Sequence, residues 1–104
     1  MTADLKPAPR IVNRELLALM GLEHDCCEVT GRMGPLHLHH VLFRSHGGDD
    51  NRNNILVIHS SLHHDYHRGD RNAQVLIGTH VRDHRPDIIQ YITSKTTAGY
   101  AEAW

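Results

Sequence analysis

His63 and His67, four positions apart, are the residues of this chain best spaced to do chemistry. On an α-helix, positions i and i+4 share a face with Cβ atoms about 5–6 Å apart, so two imidazoles can converge on one ion. Neutral imidazole ligates zinc, nickel, copper and iron, and a catalytic metal typically takes three protein ligands and keeps one position open. A third ligand must come from elsewhere, and His39 is the expected one. A solvated polar helix face would show the same spacing. The concentration argues for more, because eight of the eleven histidines fall between Leu36 and Gly69. His40, with an ordinary pKa near 6.5, can take a proton from water, and one divalent ion can supply the positive charge that phosphodiester hydrolysis requires. No second carboxylate cluster lies near these histidines, which argues against a two-metal site. Asp49 and Asp50, behind Gly47 and Gly48, read as turn formers. His37 and His64 are expected to bind no metal; His64 points about 100° away from His63 around the helix, and His37 belongs on the substrate-facing side or the surface.

Three elements must position these groups. Leu36–Phe43 is rich in β-favouring and apolar residues and reads as a strand. Strict alternation would send His39 and His40 to opposite faces, so a shared site requires the pleat to break near the strand end. Asn54 precedes a second apolar run, and the helix carrying His63 and His67 follows. Upstream, Asn13 caps a helix through Met20 that Gly21 should end, with Leu16, Leu17 and Met20 as its apolar stripe. Downstream, Pro86 opens a helix to about Lys95 with Ile88, Ile89 and Ile92 on one face. Between them, Gln74–Ile77 is a short apolar run, either a strand or a helix end. Residues 1–12 read as a flexible arm containing Pro7 and Pro9, residues 13–95 as a single domain with its core motif at 26–69, and residues 96–104 as a loose tail.

The order His39-His40, Gly47-Gly48, Asn54-Ile55, then His63 and His67, resembles the signature of the HNH endonucleases, including small phage proteins of that family. The resemblance implies an α+β fold built on a ββα-metal finger, a two-stranded antiparallel hairpin plus helix, with the N- and C-terminal helices flanking it. It implies that His39, His63 and His67 hold the metal, that His40 is the general base, and that Asn54 orients the base by hydrogen bonding. Arg44 stands where relatives often carry a phosphate-binding arginine, and Arg52, Arg68 and Arg71 are weaker candidates for the same role. The implied activity is one-metal hydrolysis that nicks or cleaves duplex DNA, with magnesium, manganese, nickel or zinc. DNA is the implied partner, through backbone contacts, and a packaging terminase or other specificity partner is a further expectation from the phage members. Many members bracket the motif with two CxxC pairs holding a structural zinc. Here Thr30 follows Cys27 at the second position, and His59 and Leu62 occupy the other pair, so a structural zinc is not expected. The competing class is a non-catalytic zinc-binding module with a DNA-binding or structural role.

Composition bounds the remainder. A chain of 104 residues with 39% hydrophobic and 5% aromatic residues makes one small domain with a modest core, in which a bound metal would matter for stability. The net charge of -1 excludes a generally polycationic DNA binder, so positive charge must be local to the site. Partly protonated histidines would add to it as the pH falls below about 6.5. No apolar stretch suits a membrane span or a signal peptide, and two adjacent cysteines make no disulfide framework, so a cytoplasmic setting in a bacterium or phage-infected host is expected. No helix-turn-helix or zinc-finger reader is visible, which favours weak sequence specificity.

Overall fold

The computed structural model describes residues 10–103, with side chains for residues 10–96; most of the expected N-terminal arm lies outside the described residues. The elements run α1 (Arg14–Glu23), β1 (Leu36–His40), β2 (Ile55–His59), α2 (Ser60–His67), α3 (Arg71–His84) and α4 (Pro86–Ala103). Short 3-10 turns occupy Arg44–His46 and Arg52–Asn54. The fold is α+β, with one antiparallel pair of strands and four helices among the described residues.

Strand β2 is the centre of the molecule. All five of its residues are buried, which is why its sequence is a continuous apolar run instead of an alternation. Ile55 and Val57 pack with Met20, Leu16 and Leu17 of α1, while Leu56 and Ile58 face Leu62, Ala73, Ile77, Val81 and Ile88 from α2, α3 and α4. Each such side chain contributes about 1.5–3 kcal/mol on burial. Strand β1 pairs with β2 in the register His39 to Leu56 and His40 to Ile55.

The boundaries differ from the sequence expectation in four places. Strand β1 ends at His40, not Phe43, because Asn54 captures the next residues: Val41 N–H donates to the Asn54 carbonyl, Leu42 N–H to its Oδ1, and its Nδ2 donates to the Leu42 carbonyl. Helix α1 is capped by Asn13 as expected but continues through Gly21 to Glu23. One interior glycine costs only about 1 kcal/mol, and Arg52 grips the Glu23 carboxylate at 2.7 and 3.0 Å to hold the last turn. Gln74–Ile77 lies inside α3, which Asp70 caps through Ala73 N–H and which buries Ala73, Ile77 and Val81 at four-residue steps. Along α4 the inward pair is Ile88 and Ile92, whereas Ile89 is exposed. Its backbone is helical past Lys95 to Ala103, through most of the expected tail. Among the described residues no helix is long and apolar enough to cross a membrane.

Candidate metal centre

Strand β1 delivers His39 toward α2, and α2 returns His63 and His67 from one face. The His39 ring lies 5.2 Å from the His63 ring and 5.5 Å from the His67 ring, with Tyr66 packed edge-on at 4.7 Å. One ligand nitrogen from each of the three histidines falls within 4.8 Å of the others, so the cluster can hold a metal ion. His39 is 1% exposed, and neither of its ring nitrogens has a hydrogen-bond partner. Leaving a buried polar group unpaired costs about 1–3 kcal/mol, and such an orphan in a native fold calls for an explanation such as an ion. His63 Nε2 and His67 Nε2 are 3.0 Å apart. At zinc–nitrogen distances of about 2.0–2.1 Å, tetrahedral ligands stand roughly 3.3 Å from one another, so the helix sets this pair close to ligating separation.

The electrostatics suit the same role. Burial, reinforced by repulsion from His63, His67 and His40, pushes the His39 pKa down to about 3. His63 falls to about 4 for like reasons, burial first and then His67, His37 and His40. Both rings are therefore neutral near pH 7, with lone pairs available and little competition from protons.

Sequence reasoning missed His37. Its Nδ1 lies 2.9 Å from His63 Nδ1, so it engages the far side of that ring and leaves His63 Nε2 to face the cluster. Its position two residues before His39 on one strand face was the available signal.

His40 faces away from the cluster, yet it borders the same space. A cavity of about 490 Å³ is lined by Leu38, His40, Phe43, Arg44, Ser45, His63 and His67. The pleat is regular through His39 and His40, so the break expected between the faces does not occur; the chain bends only afterwards, at Val41–Leu42. His40 is 7% exposed, and its Nε2 lies 2.8 Å from Asp50 Oδ1. Burial lowers the His40 pKa, and the Asp50 bond offsets part of that shift.

Three assignments are corrected here. Asn54 makes no hydrogen bond to His40: its side chain is spent on the Leu42 N–H and the carbonyls of Leu42 and Asp49, so it shapes the loop instead of orienting the base. Asp49 and Asp50 are more than turn formers. Asp50 accepts from Asn13 N–H at 2.8 Å and from Arg10 at 2.9 Å, and Asp49 from Ile11 N–H, the Tyr91 hydroxyl at 2.6 Å and Lys95 at 3.1 Å. Burial pushes both carboxyl pKa values up, but these donors outweigh it and hold them below the ordinary range. Among the arginines, Arg44 alone lines the cavity and it is exposed; Arg52 is paired with Glu23 beside a different hollow, and Arg68 pairs with Asp65 and Asp70.

At the degenerate cysteine positions, Cys27 is buried. Burial pushes its thiol up, and the Thr30 hydroxyl with the backbone N–H groups of His59, Thr30 and Val29 more than reverses the shift. No known protein family, curated protein or solved structure matches the chain.

Proposed function

We propose that the protein is a metal-dependent DNA endonuclease of the HNH type, with β1, β2 and α2 forming its ββα-metal finger. One observation carries the proposal: a buried histidine with both nitrogens unpaired, His39, converges with His63 and His67 beside a cavity that also presents His40 and Arg44. His39, His63 and His67 would hold one divalent ion. Three imidazole ligands favour zinc or nickel over magnesium, which prefers oxygen ligands. The bound ion would offset the negative charge that develops on the scissile phosphate and its leaving oxygen.

The chain supplies the remaining parts. His40 takes the proton of the attacking water, whose oxygen bonds to phosphorus as the phosphodiester bond to the leaving oxygen breaks. Arg44, with no ion-pair partner among the described residues, is free to fork onto the phosphate. Asn54 fixes the loop that carries Asp49 and Asp50 behind the base. The contacts are to the DNA backbone, so target choice would rest on other surfaces or on a partner such as a terminase.

The test is cleavage of supercoiled plasmid by metal-stripped protein resupplied with magnesium, manganese, nickel or zinc, beside His40→Ala. Nicked or linear product is expected only with an added ion and an intact His40. Tight metal binding without cleavage under any ion would overturn the assignment in favour of a non-catalytic zinc module.

A further inference from the structure

The residue that the sequence signature assigns to aim the base, Asn54, is engaged elsewhere. We infer that Asp50 is the positioning residue for His40, holding the imidazole as the Nε2–H tautomer so that Nδ1 is its only basic nitrogen. The inference rests on the nuclease assignment for its catalytic consequence, though not for its geometry.

Asp50 Oδ1 meets His40 Nε2 at 2.8 Å, with side-chain exposures of 6% for the histidine and 1% for the aspartate. The other contacts on this carboxylate leave no ambiguity about which atom donates. Oδ1 also receives both Arg10 terminal nitrogens, at 2.9 and 3.3 Å, and Oδ2 receives Asn13 N–H at 2.8 Å. Guanidinium and backbone N–H groups can only donate, so both oxygens accept, and these donors with the Arg10 charge hold the carboxyl below its ordinary range and ionised. An ionised carboxylate can only accept, so Nε2 carries the hydrogen, and in the neutral ring the lone pair is then on Nδ1. This is the arrangement by which a buried carboxylate selects a histidine tautomer in hydrolases generally.

The same contacts show why asparagine cannot replace this residue. A carboxamide in its place that turned its oxygen toward His40 and Arg10 would point its NH2 at Asn13 N–H, donor against donor. Turned the other way, the NH2 would oppose Arg10 and force Nε2 to accept, which places the hydrogen on Nδ1. The first orientation keeps the tautomer but breaks the anchor that holds the side chain, and the second reverses the tautomer, so neither reproduces the fixed geometry. The N-terminal segment takes part as well, since Arg10 and Asn13 set the carboxylate and Asp50 N–H donates to the Ile11 carbonyl.

The test combines a spectroscopic and a kinetic readout on the full-length, metal-loaded protein. Imidazole nitrogen NMR of the wild type, at a pH where His40 is neutral, should show the Nε2–H tautomer; the Nδ1–H tautomer there would overturn the inference whatever any variant does. Asp50→Asn should lower kcat by about 10- to 100-fold, a fraction of the 10²- to 10⁴-fold typical of general-base catalysis, with KM and zinc Kd within about twofold. A folded Asp50→Asn protein with unchanged kcat would also overturn it. If the wild type cleaves no DNA with any ion, the nuclease assignment fails, while the tautomer measurement still decides the Asp50–His40 geometry.

Discussion

At the residue scale the site is decided by what His39 lacks. Burying both of its nitrogens unpaired makes the metal-free fold less stable than an apolar residue of similar size would. His39→Leu should therefore unfold, without metal, at a temperature no lower than the wild type, with a gain of up to about 1–3 kcal/mol if the pocket closes on the new side chain. Zinc should no longer stabilise it, whereas the wild type should gain about 2.7 kcal/mol at zinc concentrations a hundredfold above Kd. Thermal unfolding of both proteins with chelator and with zinc checks this. A marked loss of metal-free stability in His39→Leu would mean that His39 serves packing and not a ligand. The pair His63 and His67 was legible because helical spacing alone puts two residues together. Asp50 was not, because its partners Arg10 and Asn13 lie 40 and 37 residues away and only the folded chain brings them in.

At the element scale, the strands and the ligand helix were legible from apolar runs and a four-residue repeat, while their ends were set by contacts without local signals. The end of β1 illustrates this, since it depends on Asn54 from across the hairpin and on the absence of a side chain at Gly48. A Cβ placed there would sit 1.7 Å from the Leu42 carbonyl oxygen and 2.9 Å from Asn54 Nδ2, which is backbone and a saturated amide. Neither can give way without breaking the bend that ends β1 and carries Phe43 and Arg44 to the cavity. Gly48→Ala should thus destabilise the fold by more than about 2 kcal/mol, in the range of disrupted buried networks, despite adding one methyl group. Denaturant unfolding is the measurement, and a midpoint equal to the wild type's would show that the loop has another way to close. Helix α3 escaped notice for the opposite reason: it buries Ala73, Ile77 and Val81 in single file, and the exposed Val75 and Leu76 beside Ile77 make a continuous apolar run that masks the helical period.

For the whole molecule, the histidines tie stability to pH, with a sign fixed by their shifts. His39, His40 and His63 are all held below their ordinary pKa in the folded protein, so below about 6.5 the unfolded chain binds more protons than the native one. Their contribution is then fully present above that pH and is lost as pH falls toward the folded values, about 3 for His39 and about 4 for His63. The slope is at most about 1.4 kcal/mol per pH unit for each group, and less for His63, which keeps some exposure to solvent. Asp49 and Asp50, also lowered, add a second loss only at more acid pH, as the carboxylates protonate below the ordinary 3.8. Metal-free protein should accordingly hold a level unfolding midpoint above neutrality, begin to lose it below pH 6.5, and lose it faster under strongly acid conditions. Thermal scans across that range in the presence of chelator measure it. A midpoint that stays level well into the acid range would mean the histidines protonate in the native state at no cost, which a buried, mutually repelling cluster cannot do.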